Sequence, residues 1–158
     1  MAIYESVRRV DVMALEMPEP VVLDQETPVR EVVEEMRKRQ TGVALLTGAG
    51  DPAPLTGIFT ERDVLLRVLG EEGLLDRPAA DLMTADPAAV SENDSIERAL
   101  AIMNQEGFRH VPVLAEDGRV VACVRHKDMI RYLVEHFAER LLNLPPDPDQ
   151  VATSPEGG

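Results

Sequence analysis

Two seven-residue segments carry the most informative polar chemistry in the chain. Gly57-Ile58-Phe59-Thr60-Glu61-Arg62-Asp63 closes an apolar run with a hydroxyl and, three residues later, a carboxylate. Thr60-x-x-Asp63 has capping-box spacing, in which each side chain satisfies the other residue's backbone N–H at a helix start. Such a start also offers free N–H groups to an anion, and a carboxylate can accept two hydroxyl donors at once. Ala122-Cys123-Val124-Arg125-His126-Lys127-Asp128 keeps the carboxylate but has Arg125 where the cap residue belongs. Arg125, His126 and Lys127 then crowd the positive end of a helix dipole, at a cost of about 0.3–1 kcal/mol each when charged and uncompensated. A bound phosphate would make that arrangement favourable. Arg109 and His110 stand at the entry to the preceding apolar run and extend the cationic set. Strand alternation points the two side chains to opposite faces, so only one of them would reach a ligand at the helix start. Their plainer reading is surface charge at a strand start.

Other chemistry has weaker support. His110, His126 and His136 lack close metal-ligand spacing. Gly48-Ala49-Gly50 has no Lys in phosphate-loop register. Cys123 reads as a small core residue and not as a nucleophile. Ser91 and Ser95 have no context that would activate a hydroxyl. The expectation is a protein without catalytic or metal-ligating residues.

The elements that must position these residues repeat. An offset of 67 residues puts Met36 on Met103, Val29 on Ile96, Val32 on Ala99, Val33 on Leu100, Leu46 on Val113 and Pro20 on Pro87. Beyond the loop TGAGDPAPLTG, matched by the shorter AEDGRV, the offset becomes 65, with Gly57 on Ala122 and Asp63 on Asp128. A constant register with one loop difference marks a duplicated unit. Each copy reads as a short strand (Val21–Leu23; Ala88–Val90), a helix, two strands and a second helix. Thr27-Pro28 predicts a capped start for the first helix of one copy, and Asp94-Ser95-Ile96-Glu97 a capping box for the other, with Asp94 as cap. The first helices carry apolar residues at helical spacing at Val29, Val32, Val33, Met36 and at Ile96, Ala99, Leu100, Met103. Strands follow at Val43–Leu46 with Leu55–Phe59, and at Val111–Leu114 with Val120–Val124. The second helices begin near Glu61 and His126, with faces Val64, Leu65, Val68, Leu69 and Met129, Ile130, Leu133, Phe137. The fold class is mixed α/β (α+β), β-α-β-β-α twice over.

Residues 1–19 form an N-terminal segment, with an amphipathic helix predicted over 5–17 through Val7, Val10, Met13, Ala14 and Met17. The first copy occupies 20–70, a linker 71–86 and the second copy 87–140. Residues 141–158 are rich in Pro, Asp and Gly and read as a disordered tail. The chain has 158 residues, 44% of them hydrophobic but only 3% aromatic, so Val, Leu, Ile, Ala and Met must build its core. A formal charge of −13 argues against nucleic-acid or anionic-membrane partners. Cys123 is the only cysteine, which excludes an internal disulfide. The sequence shows no membrane span and no secretion signal, so a cytoplasmic location is expected.

The element order, DLMTADP (Asp81–Pro87), Gly107–Val121 and GIFTERD together resemble a tandem pair of CBS domains, a Bateman module, over roughly residues 10–140. The resemblance implies a pseudo-twofold module that commonly pairs into a disc-like homodimer, with ligand clefts between the repeats. It implies that Asp63 accepts ribose hydroxyls, Thr60 lies near a phosphate, and Gly57 opens the motif. Asp128, Arg125 and Lys127 are its counterparts in the second copy, where Arg replaces the usual Ser or Thr. Arg109 and His110 would face phosphates, and the main chain at Val43–Ala44 and Val111–Pro112 would meet adenine. The expected function is ligand sensing, with no required cofactor: AMP, ADP or ATP binds and a separate effector protein responds. A ligand-free dimerisation scaffold is the alternative reading, and a nucleotide-acting enzyme a third.

Overall fold

The computed structural model describes Glu5 and residues 8–142. Val7, the side chain of Phe137, and residues 143–158 of the expected tail lie outside the described residues. Both copies take the expected order. The first comprises β1 (Val22–Asp24), α1 (Val29–Lys38), β2 (Val43–Thr47), β3 (Leu55–Thr60) and α2. Helix α2 is an α-helical turn, Glu61–Asp63, that continues as a π-helical turn over Val64–Val68. After β4 (Thr84–Ala85), the second copy runs through β5 (Val90–Ser91), α3 (Ile96–Glu106), β6 (His110–Leu114), β7 (Val120–Arg125) and α4 (His126–Leu142).

The strands form two sheets, β1-β2-β3-β4 and β5-β6-β7. In each, the first strand pairs parallel to the middle one and the hairpin is antiparallel. The register breaks at Leu46/Thr47 and at Val113/Leu114, the same point of the two copies. Only the first sheet gains a fourth strand, because β4 of the linker pairs with Gly57 and Ile58. The sheets meet at a cluster of Val43, Leu45, Ile58 and Cys123.

The segment that leads into each copy packs on the other copy. Asp11 bridges Ser95, the Val12 N–H donates to the Asp94 carbonyl at 2.8 Å, and the Ile96 N–H donates to the Val10 carbonyl at 2.9 Å. At the equivalent place Pro28 bridges Pro78, the Ala79 N–H donates to the Thr27 carbonyl at 2.9 Å, and the Val29 N–H to the Arg77 carbonyl at 2.9 Å. Val12 and Leu15 are buried in the core of the second copy, and Ala79 in that of the first.

These crossings correct three local expectations. The predicted 5–17 helix is not continuous: Glu5 and Arg8 are helical, but a turn follows, and Val12–Ala14 is a 3-10 turn. The expected face is also not the buried one: Met13 and Ala14 are exposed, Val10 and Met17 are half-buried, and Val12 and Leu15, outside that face, point into the neighbouring core. The Thr27 side chain does not cap α1; carbonyls of Arg77 and Leu75 take its first N–H groups. In the second copy Ser95 is the cap, accepting from the Arg98 N–H, while the Asp94 carboxylate accepts from the Ser91 N–H. The second helices also bury less than their spacing predicted. Val68 and Met129 are buried, but Leu65, Leu69, Ile130 and Leu133 are exposed, because each helix lays a single flank on its sheet.

Truncating a leading segment should therefore damage the other copy. Leu15→Ala is expected to cost about 2–4 kcal/mol. Hydrogen exchange should quicken in α3 and β6 more than in α1.

Candidate functional site

The chemistry converges where β3 hands over to α2. The Thr60 backbone N–H donates to Asp63 Oδ2 at 2.8 Å and the Thr60 hydroxyl donates to the same oxygen at 2.9 Å. The Asp63 N–H in turn donates to Thr60 Oγ1, completing the capping box. Both donors fall on one carboxylate oxygen. Asp63 Oδ1 has the Arg67 Nε at 3.6 Å as its charged neighbour. This second oxygen retains acceptor capacity beside an open cleft of about 550 Å³, within the usual range for small-ligand sites.

The cleft lies between the copies. Thr60, Glu61, Arg62, Asp63, Leu66 and Arg67 line one wall; Gly107, Phe108, Arg109 and His110 line the other, with Gly42, Ile58 and Thr84 between them. Within each copy, one main-chain bond ties the start of the second helix to the residue that precedes the middle strand. The Glu61 N–H donates to the Gly42 carbonyl at 3.0 Å, and the His126 N–H donates to the Arg109 carbonyl at 2.9 Å. Gly107 ends α3 in the left-handed region, φ 69°, and so turns the chain toward the cleft.

Arg109 and His110 both line the cleft, contrary to the expectation that one would turn away. Alternation applies only within a strand, and β6 begins at His110. The Arg62 and Arg109 guanidinium groups have no hydrogen bond or ion pair among the described residues. His110 is different: burial, then the nearby Arg125 charge, lowers its pKa below the ordinary 6.5. At neutral pH its ring is uncharged, so toward an anion it offers a hydrogen bond and no charge.

Other sequence candidates fall elsewhere. Val43, Ala44, Val111 and Pro112 are buried strand residues that do not line the cleft. Gly57 is also outside its wall; a Cβ there would lie 2.1 Å from the Met83 sulfur, so this glycine makes room for the linker. Cys123 is buried between the sheets, and burial pushes its thiol up to about 12. Arg62, Arg67, Leu66, Phe108 and Thr84 were not anticipated. The i, i+4 spacing of Asp63 and Arg67 was the available signal for one of them. Nothing local marks Thr84, which arrives on the linker strand.

Arg125, Lys127 and Asp128 do not line this cleft. Arg125 folds onto the carboxylate three residues ahead, with Nε 2.7 Å from Asp128 Oδ2 and Nη2 2.5 Å from Oδ1. Its backbone N–H donates to Oδ2 at 3.1 Å, and Arg131 Nη2 reaches Oδ1 at 3.2 Å. The Arg125 charge, read from sequence as uncompensated, is thus neutralised internally, and the hydrogen bond to Asp128 raises its pKa above the ordinary value. The repeat cores differ little here, but the two carboxylates differ in partners.

Two predictions follow from the partners. Asp128 is fully buried, so Asp128→Asn strands Arg125 and should cost about 3–5 kcal/mol in urea denaturation. Asp63→Asn, which weakens the buried cap partner of Thr60, should cost about 1–2 kcal/mol. For His110 the native pKa lies below the unfolded value of about 6.5. The unfolded chain therefore takes up the proton first, and stability is fully present above pH 6.5 and falls as pH drops through the lowered native value. Arg125, Lys127 and Arg109 reinforce that direction, while Asp128 opposes it. The loss between pH 7 and 5 should be smaller in His110→Gln than in the unaltered protein.

Comparison with known proteins agrees with the duplicated architecture. The CBS domain family model matches twice, at residues 11–70 and 79–135. A CBS domain protein from Pyrobaculum aerophilum, complexed with AMP, superposes with a TM-score of 0.71 at 28% identity, covering 82% of this chain and 99% of that one. A CBS-domain protein from Agrobacterium tumefaciens gives 0.63 at 26% identity, covering 72% and 83%. An uncharacterised 17.7 kDa protein of Acidianus ambivalens is 29% identical over 68% of this chain. A CBS domain-containing protein of Arabidopsis thaliana is 31% identical over 70% of it. The alignments span 63% and 20% of the length of those two relatives. No helix among the described residues is long and apolar enough to cross a membrane. With two family matches laid on two β-α-β-β-α units that share a cleft, the chain belongs to the CBS domain family as a tandem pair.

Proposed function

We propose that this chain is a regulatory module that binds an adenine nucleotide of the AMP, ADP or ATP class in the inter-repeat cleft and signals to a separate effector. The observation that carries the reading is the meeting of Thr60 and Asp63 from one copy with Arg109 and His110 from the other. Asp63 Oδ1 suits a ribose hydroxyl, the guanidinium groups of Arg62 and Arg109 suit phosphate, and Leu66 and Phe108 supply apolar surface. The AMP complex of the Pyrobaculum protein supports the choice of ligand class. A ligand touching both copies favours the arrangement in which both walls reach it, and that differential affinity makes a switch. The module acts by binding, without chemistry of its own, in the cytoplasm.

A homodimer fits the same reading. Leu65 on α2, Leu69 just past its end, and Ile130, Leu133 and Val134 on α4 are exposed apolar side chains at the corresponding helices of the two copies. They also favour the second reading, a scaffold that dimerises without ligand, since the capping box pairs Thr60 with Asp63 in the absence of one.

Calorimetry with AMP, ADP and ATP, alongside light scattering, separates the two readings. At least one nucleotide should bind the dimer; Thr60→Ala and Asp63→Asn should each weaken it roughly tenfold or more, the loss of one charge-assisted hydrogen bond. A folded dimer that gives no heat at millimolar nucleotide would leave the scaffold, and a monomer would remove both dimer readings.

A further inference from the structure

We propose that Arg125 is the built-in occupant of the second half-site, so that each chain takes one nucleotide, at Asp63, and none at Asp128. The inference rests on the nucleotide reading above and adds to it the number and identity of the binding sites.

Two independent observations carry it. The first is acceptor capacity. A carboxylate has about four lone-pair positions, and Asp128 already receives four donors: the Arg125 backbone N–H, Nε and Nη2, and Arg131 Nη2. The guanidinium fork spans both oxygens and so leaves neither open to a sugar hydroxyl. Asp63 receives its two short donors on Oδ2 alone, and Oδ1 has only Arg67 Nε at 3.6 Å. The Asp128 side chain is 0% exposed and that of Asp63 is 11% exposed. A diol entering at Asp128 would have to exchange charge-assisted bonds for neutral ones, which are roughly half as strong. It would also leave a largely buried guanidinium without its counter-charge.

The second observation is the opposite wall. Arg109 and His110 face Asp63 from the other copy. The repeat offset places Gly42 and Val43 at their equivalents, and neither carries a polar side chain. The second half-site therefore lacks both a free acceptor for a sugar and the cation and ring donor supplied across the cleft.

Calorimetric stoichiometry with AMP and ATP as probes tests this. The unaltered chain should saturate at one nucleotide, and Asp63→Asn should remove that event while Asp128→Asn leaves it. Arg125→Thr rebuilds Thr-x-x-Asp in the second copy and should add a second, weaker event that Arg125→Thr with Asp128→Asn lacks. Two nucleotides per unaltered chain, or no added event in a folded Arg125→Thr, would overturn the proposal. Absence of any binding would instead overturn the nucleotide reading. Occupancy by Arg125 is then read directly from its Nε–H exchange by NMR in the unaltered protein. Slow exchange supports the internal occupant, and exchange as fast as that of a free arginine overturns it.

Discussion

The structure depends on an exchange of short leading segments between the two copies. Neither copy completes its core or its first helix with its own residues. Val12 and Leu15 fill the second core, while Ala79 packs into the first. The N–H groups that begin α1 and α3 are partly satisfied by the main chain of the segment that leads into the other copy. Backbone groups at helix starts must find partners, and here the partner fixes the distance between copies. The width of the cleft follows from those bonds. Arg67 and Arg131 extend the same logic to the site. Each lies beside its copy's aspartate and donates to carbonyls of the crossing segment, Leu82 and Met83 in one case and Glu16 in the other.

A chain with a formal charge of −13 must concentrate its few cations if it is to meet an anion. It does so unevenly. Arg62 and Arg109 face the open cleft, while Arg125 and Arg131 are spent on Asp128. The first arrangement keeps charge available to a ligand. The second is a buried ion pair, which is costly to break from one side and contributes little net stability when intact. The two scaffolds are alike, but the cap position, Thr60 against Arg125, gives their aspartates different partners.

Much of this was legible in the sequence because the repeat carries its own internal control. Two copies with the same apolar spacing fix the β-α-β-β-α order and the hairpins at once. The tetrad ending in Asp63 and the Arg109-His110 pair were visible through the resemblance to CBS domains, since the repeat equivalents of Arg109 and His110 are Gly42 and Val43. What could not be read were the non-local partners. Thr27 looks like a cap, but the main chain fifty residues away outcompetes it. The helical spacing over 5–17 selected Met13 and Ala14, which are exposed, whereas a docked segment buries Val12 and Leu15. Arg125 reads as an uncompensated charge at a helix start unless its fold onto Asp128 is known, and alternation misled at Arg109 because the strand starts one residue later. Periodicity reports which residues are buried, not what buries them.

The contact between Gly57 and Met83 has a consequence for modularity. The first residue of the Gly-x-x-Thr-x-x-Asp motif is small because a linker methionine lies against it, and the linker strand beside it gives the first sheet a fourth member. In the second copy Ala122 stands at that position and its sheet has three strands. The glycine thus belongs as much to residues 83–85 as to the repeat in which it is written. Transplanting the first repeat with a foreign joining segment would separate two halves of one fitted pair. The smallest piece of this chain that could be recombined intact is the whole pair, leading segment included.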